Sequence, residues 1–332
     1  MIERRKDMHL WVYWYCKLQN NNIFRNIMDM KPLLPAILFA VSLDAAFASG
    51  VRDNETKVGS GQVYASAVAI SDLMENGNIV RLSQVGAKAM PADIAPLGKL
   101  PFKMKPVKRP VFKSNRLIIS DGDKDSAGKV TKALNAKIAE LSAMGGGRLI
   151  VPEGRWQTGR VELQSNVELY LAEGARLEFS ASIADYQPAV FTRHEGIEVM
   201  GAGAFIYANG AKNIALTGHG VVSGPPMDVE MRTLRNGNSV VEKDVDYRLP
   251  VAERLCDGLD GRTFYRPKSF APINCKNVLV EGVTFERSVL WNINPIYCDN
   301  VIIRGVTVNS VGVPSGDGID ISSCSNVLIE YS

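Results

Sequence analysis

The chain has 332 residues, with 38 Lys+Arg against 35 Asp+Glu, 46% hydrophobic and 22% charged residues, and a net charge of +3 with the three histidines neutral. That balance excludes a strongly basic nucleic-acid protein and an acidic disordered tail, and the length suffices for a sizeable core. The five cysteines (Cys16, Cys256, Cys275, Cys298 and Cys324) form no CxxC pair and have no close histidine, so no zinc site is read and no metal is expected.

In chain order, residues 1–29 read as an upstream extension and 30–48 as a secretory leader. From Met30 a basic start, a short apolar run and Ala46-Phe47-Ala48 give the three regions of an export signal, with cleavage expected after Ala48. The apolar run is too short to span a bilayer comfortably. The expectation is a secreted or periplasmic protein, free of the membrane once the leader is removed, with four cysteines remaining. Residues 49–116 read as an extended lead-in or linker. Its end carries Lys99, Lys103, Lys105, Lys108, Arg109, Lys113 and Arg116 without an acid, and Pro101, Pro106 and Pro110 interrupt it. Lys129 to Met144 has Val130, Leu134, Ile138 and Leu141 at helical spacing and stops at Gly145-Gly146-Gly147. This predicts a short helix that covers one end of the downstream strands.

Residues 117–332 carry a repeat. Asn277-Val278-Leu279-Val280-Glu281-Gly282 is echoed by Asn300-Val301-Ile302-Ile303-Arg304-Gly305 and by Asn326-Val327-Leu328-Ile329-Glu330, 23 and then 26 residues on. Earlier copies start at Asn166 and Asn213; the 47 residues between them are read as two coils. A period in the twenties with β-branched strands and no helical stripe predicts an all-β fold, a right-handed parallel β-helix with a short N-terminal capping helix. The asparagines are expected to stack at one corner, because asparagine tolerates a left-handed turn. Cys275, Cys298 and Cys324 each precede the repeat asparagine by two residues and are expected to form an inward stack of thiols.

Several stretches resemble the polygalacturonases of glycoside hydrolase family 28: Gly145-Gly146-Gly147-Arg148-Leu149-Ile150-Val151-Pro152-Glu153-Gly154, Phe191-Thr192-Arg193-His194-Glu195-Gly196, Arg266-Pro267 and Ser288-Val289-Leu290-Trp291-Asn292-Ile293-Asn294-Pro295. Ser315-Gly316-Asp317-Gly318-Ile319-Asp320 stands where that family carries Asn-Thr-Asp-Gly-(Ile/Phe)-Asp, with Ser-Gly replacing Asn-Thr. Gly218-His219-Gly220 looks like a later family motif but precedes the aspartate by about four coils in this reading, so it is taken as a turn. The family's later Gly-Asp-Asp, Gly-His-Gly and Arg-x-Lys motifs have no counterpart before Ser332, so the resemblance is to a chain truncated at its C-terminal end.

The resemblance implies inverting hydrolysis of a galacturonan-type pectic polysaccharide by a monomer with no cofactor. Such hydrolysis needs an acid for the leaving oxygen and a carboxylate that activates water, roughly 6.5–9.5 Å apart. Resemblance assigns the water-activating or water-positioning role to Asp317, with Asp320 secondary and more structural. Trp291 is either a core or stacking residue or a sugar platform, and Arg193 and His194 either touch an acidic sugar or satisfy each other in a loop. Pectate lyases share the fold class but hold Ca²⁺ in clustered carboxylates, and no dense acid cluster is seen on any coil. The expected outcome for these 332 residues is a glycosidase-like chain with little turnover; the alternative is a non-catalytic pectin-binding or non-functional fragment.

Overall fold

The structure is a computed structural model that describes residues 90–96, 98, 100, 102–234 and 243–332. The upstream extension, the leader and Cys16 lie outside the described residues. Asn166, Asn213, Asn277, Asn300 and Asn326 have φ of 66°, 54°, 57°, 60° and 51°. Most side chains resist that region, whereas asparagine bonds to nearby groups and tolerates it. Each asparagine thereby turns the chain into a strand of one long face, sheet 1. Its strands are Arg116–Ile118, Gly147–Val151, Val167–Leu171, Lys212–Gly218, Lys276–Glu281, Asp299–Arg304 and Ser325–Glu330, in that spatial order. All of these pairings are parallel, and register stacks Leu149, Leu169, Leu216, Val280 and Ile303 inward, each fully buried.

After the five middle strands of sheet 1 a tight corner leads into sheet 2, whose strands are Gly154–Thr158, Ala175–Phe179, Val221–Ser223, Thr284–Glu286 and Thr307–Asn309. At Gly218 (φ 109°) a Cβ would lie 2.0 Å from the Leu171 carbonyl oxygen, so only glycine fits that corner. Sheet 3 holds Val161–Glu162, Ala204–Asn209 and Lys268–Ile273, and continues through parallel bridges from Phe270 to Ile293 to Ile319 and from Ile273 to Ile296 to Ser322. The chain then returns to the asparagine corner. This is a parallel β-helix, with Phe270, Ile293, Phe285 and the inward residues of sheet 1 in one continuous core.

Helix α1 (Thr131–Ala143) covers the first coils, with Leu134, Ile138 and Leu141 fully buried. Of the stacked thiols, Cys275 and Cys298 are buried and Cys324 is half-buried; the Cys298 N–H donates to Cys324 Sγ at 3.3 Å, and all are unbridged. The asparagine ladder runs by amide bonds from Asn277 to Asn213 (2.7 Å) and from Asn213 to Asn166 (2.9 Å). Beyond it the lead-in intervenes. Asn300 accepts from the Lys108 N–H at 2.8 Å and donates to the Lys108 carbonyl at 2.7 Å, while Asn326 accepts from the Lys105 N–H. Ile94, Val107 and Phe112 pack on Ala215, Leu279 and Ile302, so the extended lead-in lies as a strap over the outside of sheet 1.

The coil count differs from the one expected from the repeat. Val167–Leu171 pairs directly with Lys212–Gly218, so the 47 residues from Asn166 to Asn213 form one coil with an insertion, not two coils. Gly218-His219-Gly220 is the sheet 1 to sheet 2 corner two coils before Asp317, with the His219 and Gly220 N–H groups donating to the Leu171 carbonyl. The insertion is an antiparallel hairpin, Val190–His194 with Ile197–Gly201. Its alternating apolar residues mimic a coil, and the expected period hides it. A second excursion, 224–267, leaves from the same side of the next coil, and its Leu255–Cys256 pairs with Ile197–Gly201. Both insertions therefore rise where the chain passes from sheet 2 to sheet 3.

Candidate active site

Sheet 3 positions the predicted residues. Ser269 N–H donates to the Trp291 carbonyl (3.1 Å) and Asn292 N–H to the Asp317 carbonyl (2.9 Å), a register that sets Lys268, Trp291 and Asp317 on successive coils. Asp317 ends the loop 310–317 and its side chain is exposed. Asn292, completely buried, fixes that loop: its side-chain amide donates to Ser310 Oγ (2.8 Å), the Asp317 carbonyl (3.0 Å) and the Gly316 carbonyl (3.2 Å). Asn294, also completely buried, holds the Asp320 carbonyl (2.5 Å) and Ser322 Oγ (3.0 Å).

Asp320 is half-buried, and its Oδ2 is sealed from solvent without a hydrogen-bond partner. Burial pushes its carboxyl up to about 6; the charge of Asp317 adds to that rise and Lys268 opposes it. Lys268 is 1% exposed. Its ammonium donates to the Arg193 carbonyl (2.6 Å) and Thr192 Oγ1 (3.3 Å) and lies 5.9 Å from the Trp291 ring centre. Burial lowers it to about 7.

The hairpin supplies the rim. Arg193 donates to Ser323 Oγ (2.9 Å) and lies 5.3 Å over the Tyr297 ring, whose hydroxyl donates to Glu198 (2.9 Å). His194 takes a different course: it is buried and stacked on Tyr265 with ring centres 4.1 Å apart. The structure thus brings Asp317, Asp320, Trp291 and Arg193 to one face and packs His194 behind it. Lys268, Asn292, Asn294 and Tyr297 are site residues that sequence reasoning missed. The two asparagines stood inside the Ser288–Pro295 resemblance, and Lys268 directly follows Arg266-Pro267; a lysine opening an apolar strand was the available signal.

Chemically, the face offers one solvent-facing carboxylate at a fixed rung, a second, half-buried carboxyl beside it, a half-buried indole and two cations. Among the described residues no group of three or more His, Cys, Asp or Glu side chains is placed to hold a metal ion.

No family model matches the chain. Over 207 residues, 55% of this chain and 34% of the relative, it is 25% identical to the exo-poly-alpha-D-galacturonosidase of Dickeya chrysanthemi. A hyperthermoactive exopolygalacturonase from Thermotoga maritima is 32% identical with a TM-score of 0.58, covering 68% of this chain and 53% of that one. The family 28 exopolygalacturonase of Yersinia enterocolitica is 23% identical with a TM-score of 0.47, covering 65% and 42%. The fold defines a right-handed parallel β-helix of the polygalacturonase type. The chain is similar in sequence and fold to polygalacturonases. It spans about half the length of the Thermotoga structure and about a third of the Dickeya protein.

Proposed function

We propose that this chain carries the substrate face of a glycosidase that hydrolyses galacturonan-type pectic polysaccharide, with inversion and without a cofactor. The observation that carries the reading is Asp317: solvent-facing, held by Asn292 at a fixed rung, one coil from a half-buried Trp291 and on the same face as Arg193. Asp317 orients or activates the attacking water. Asp320, held through its backbone by Asn294, is secondary, Trp291 stacks on a sugar ring, and Arg193 draws the uronate carboxylate. We further propose that the protein is exported, as the stretch from Met30 to Ala48 suggests, and that it acts as a monomer.

Support comes from the exo-acting names of the relatives and from the ordered motifs from Gly145 to Asp320. Turnover by these 332 residues is expected to be low, because only the first of the family's three aspartates has a counterpart here. Losing general acid catalysis alone is worth about 10²–10⁴-fold. The test pairs calorimetric titration of tri-galacturonate with a reducing-end assay on polygalacturonate, for the chain and for Asp317→Ala. Binding with slight turnover, and turnover lost in Asp317→Ala, supports the reading. Absence of binding contradicts it, and binding with no turnover dependent on Asp317 favours a pectin-binding module.

A further inference from the structure

Among the described lysines only Lys268 is buried, and its burial needs an account. Removing an ammonium from water costs several kcal/mol unless partners compensate. The direct partners of Lys268 are neutral: the Arg193 carbonyl and the Thr192 hydroxyl, both on the inserted hairpin. These use two of its three N–H donors. The ammonium lies over the ring of Trp291, one coil along toward Asp317 and Asp320.

The coil beyond Trp291 holds the complementary problem. Asp320 is half-buried, and its Oδ2 is sealed from solvent with no hydrogen-bond partner, which disfavours the carboxylate unless a nearby cation compensates. The charges acting on Asp320 are Asp317, which repels, and Lys268, which attracts. Those acting on Lys268 are Asp320 and Glu195, which attract, and Arg193, which repels. His194, on the same hairpin, is turned to Tyr265.

We propose that Lys268 is a positioning residue of this face, a buried countercharge that sustains Asp320 as a carboxylate beneath the Asp317 loop while pinning the inserted hairpin to sheet 3. The hairpin bonds need only a donor; the effect on Asp320 needs the charge. A lysine serves both, and an apolar side chain of similar length serves neither. The reading of this face as a uronide site gives the inference its functional meaning, but the charge coupling stands without a substrate.

The test is a ¹³C-carboxyl titration of Asp320 in the whole chain, assigned with Asp320→Asn. In Lys268→Met the Asp320 midpoint is expected to rise by about half a pH unit or more, because an attracting charge is gone. In Thr192→Val, which removes one hairpin bond and keeps the ammonium, the midpoint stays where it was. An unchanged midpoint in Lys268→Met, or an equal rise in Thr192→Val, overturns the proposal and leaves Lys268 a structural peg. Should Lys268→Met not fold, the reciprocal measurement decides. In Asp320→Asn the Lys268 ammonium, followed by ¹⁵N, is expected to titrate lower than in the parent, and an unchanged value overturns the coupling. Tri-galacturonate titrated in parallel separates the two readings: the Asp320 shift without binding supports the coupling and contradicts only the proposed function.

Discussion

Asn292 shows how much one buried side chain can organise. Its amide satisfies three acceptors, two of them carbonyls of the segment that presents Asp317. Replacing it with alanine removes the bonds to Ser310 Oγ and the Gly316 carbonyl and leaves the Asp317 carbonyl only the Asn292 N–H, at a cost of about 1–3 kcal/mol. Asn292→Ala is expected to lower the urea midpoint with an unchanged slope, and to weaken tri-galacturonate binding through the loosened loop. Lys268 and Asp320 shape the pH dependence of stability from opposite sides. Lys268 falls from 10.5 to about 7 on folding, so its penalty is absent above 10.5, grows as pH falls toward 7, and is constant below. Asp320 rises from 3.8 to about 6, so its penalty is absent below 3.8, grows as pH rises toward 6, and is constant above. Between about 6 and 7 both penalties are in full force. Urea unfolding across the acid and alkaline ranges is expected to show Lys268→Met flattening the alkaline slope and Asp320→Asn flattening the acid one.

At the scale of elements, what could be read in the sequence was what repeats. The asparagine corner and the thiol stack follow from spacings of 23 and 26 residues, and helix α1 follows from Val130, Leu134, Ile138 and Leu141. The insertions do not repeat, so nothing in the period reveals them. The 190–201 hairpin, with its alternating Val190, Thr192, Ile197 and Val199, passes for a coil until pairing shows its strands antiparallel. Lys268 stands out in the sequence only as a lysine opening an apolar strand; its partners Thr192 and Arg193 lie far away in the chain and are not legible there. The lead-in was legible as extended, but not as docked. Its anchor is Arg304, whose fully buried guanidinium donates to the Pro91 and Ala92 carbonyls (2.7 and 3.1 Å) and pairs with Glu330 (2.8 Å) and Glu281 (3.4 Å). Arg304→Met leaves Glu330 without its cation, while Glu281 keeps Arg109, and it unpairs the Pro91 and Ala92 carbonyls of the strap, so a loss of roughly 3 kcal/mol is expected. Limited proteolysis is expected to cut the variant between 90 and 112 faster than the parent, and an uncut strap would mean that Ile94, Val107 and Phe112, with the Asn300 bonds to Lys108, hold it without Arg304.

For the molecule as a whole, the solenoid sets the site by repetition: each coil lifts the next by about 4.8 Å, so residues at one position of the period line one face. Lys268, Trp291 and Asp317 occupy such a position, and the two insertions rise beside them from the same edge of sheet 3. The outer face of sheet 1 is occupied instead by the strap. On the proposed function, the sheet 3 face around Asp317 receives an acidic sugar. An amide and indole chemical-shift map of the chain titrated with tri-galacturonate tests this without relying on turnover. Shifts are expected to be confined to the Trp291 indole, Arg193 and residues 315–320, and to be weaker in Arg193→Ala. Shifts centred on sheet 2 or on the strap, with Trp291 and Asp317 unmoved, would contradict it.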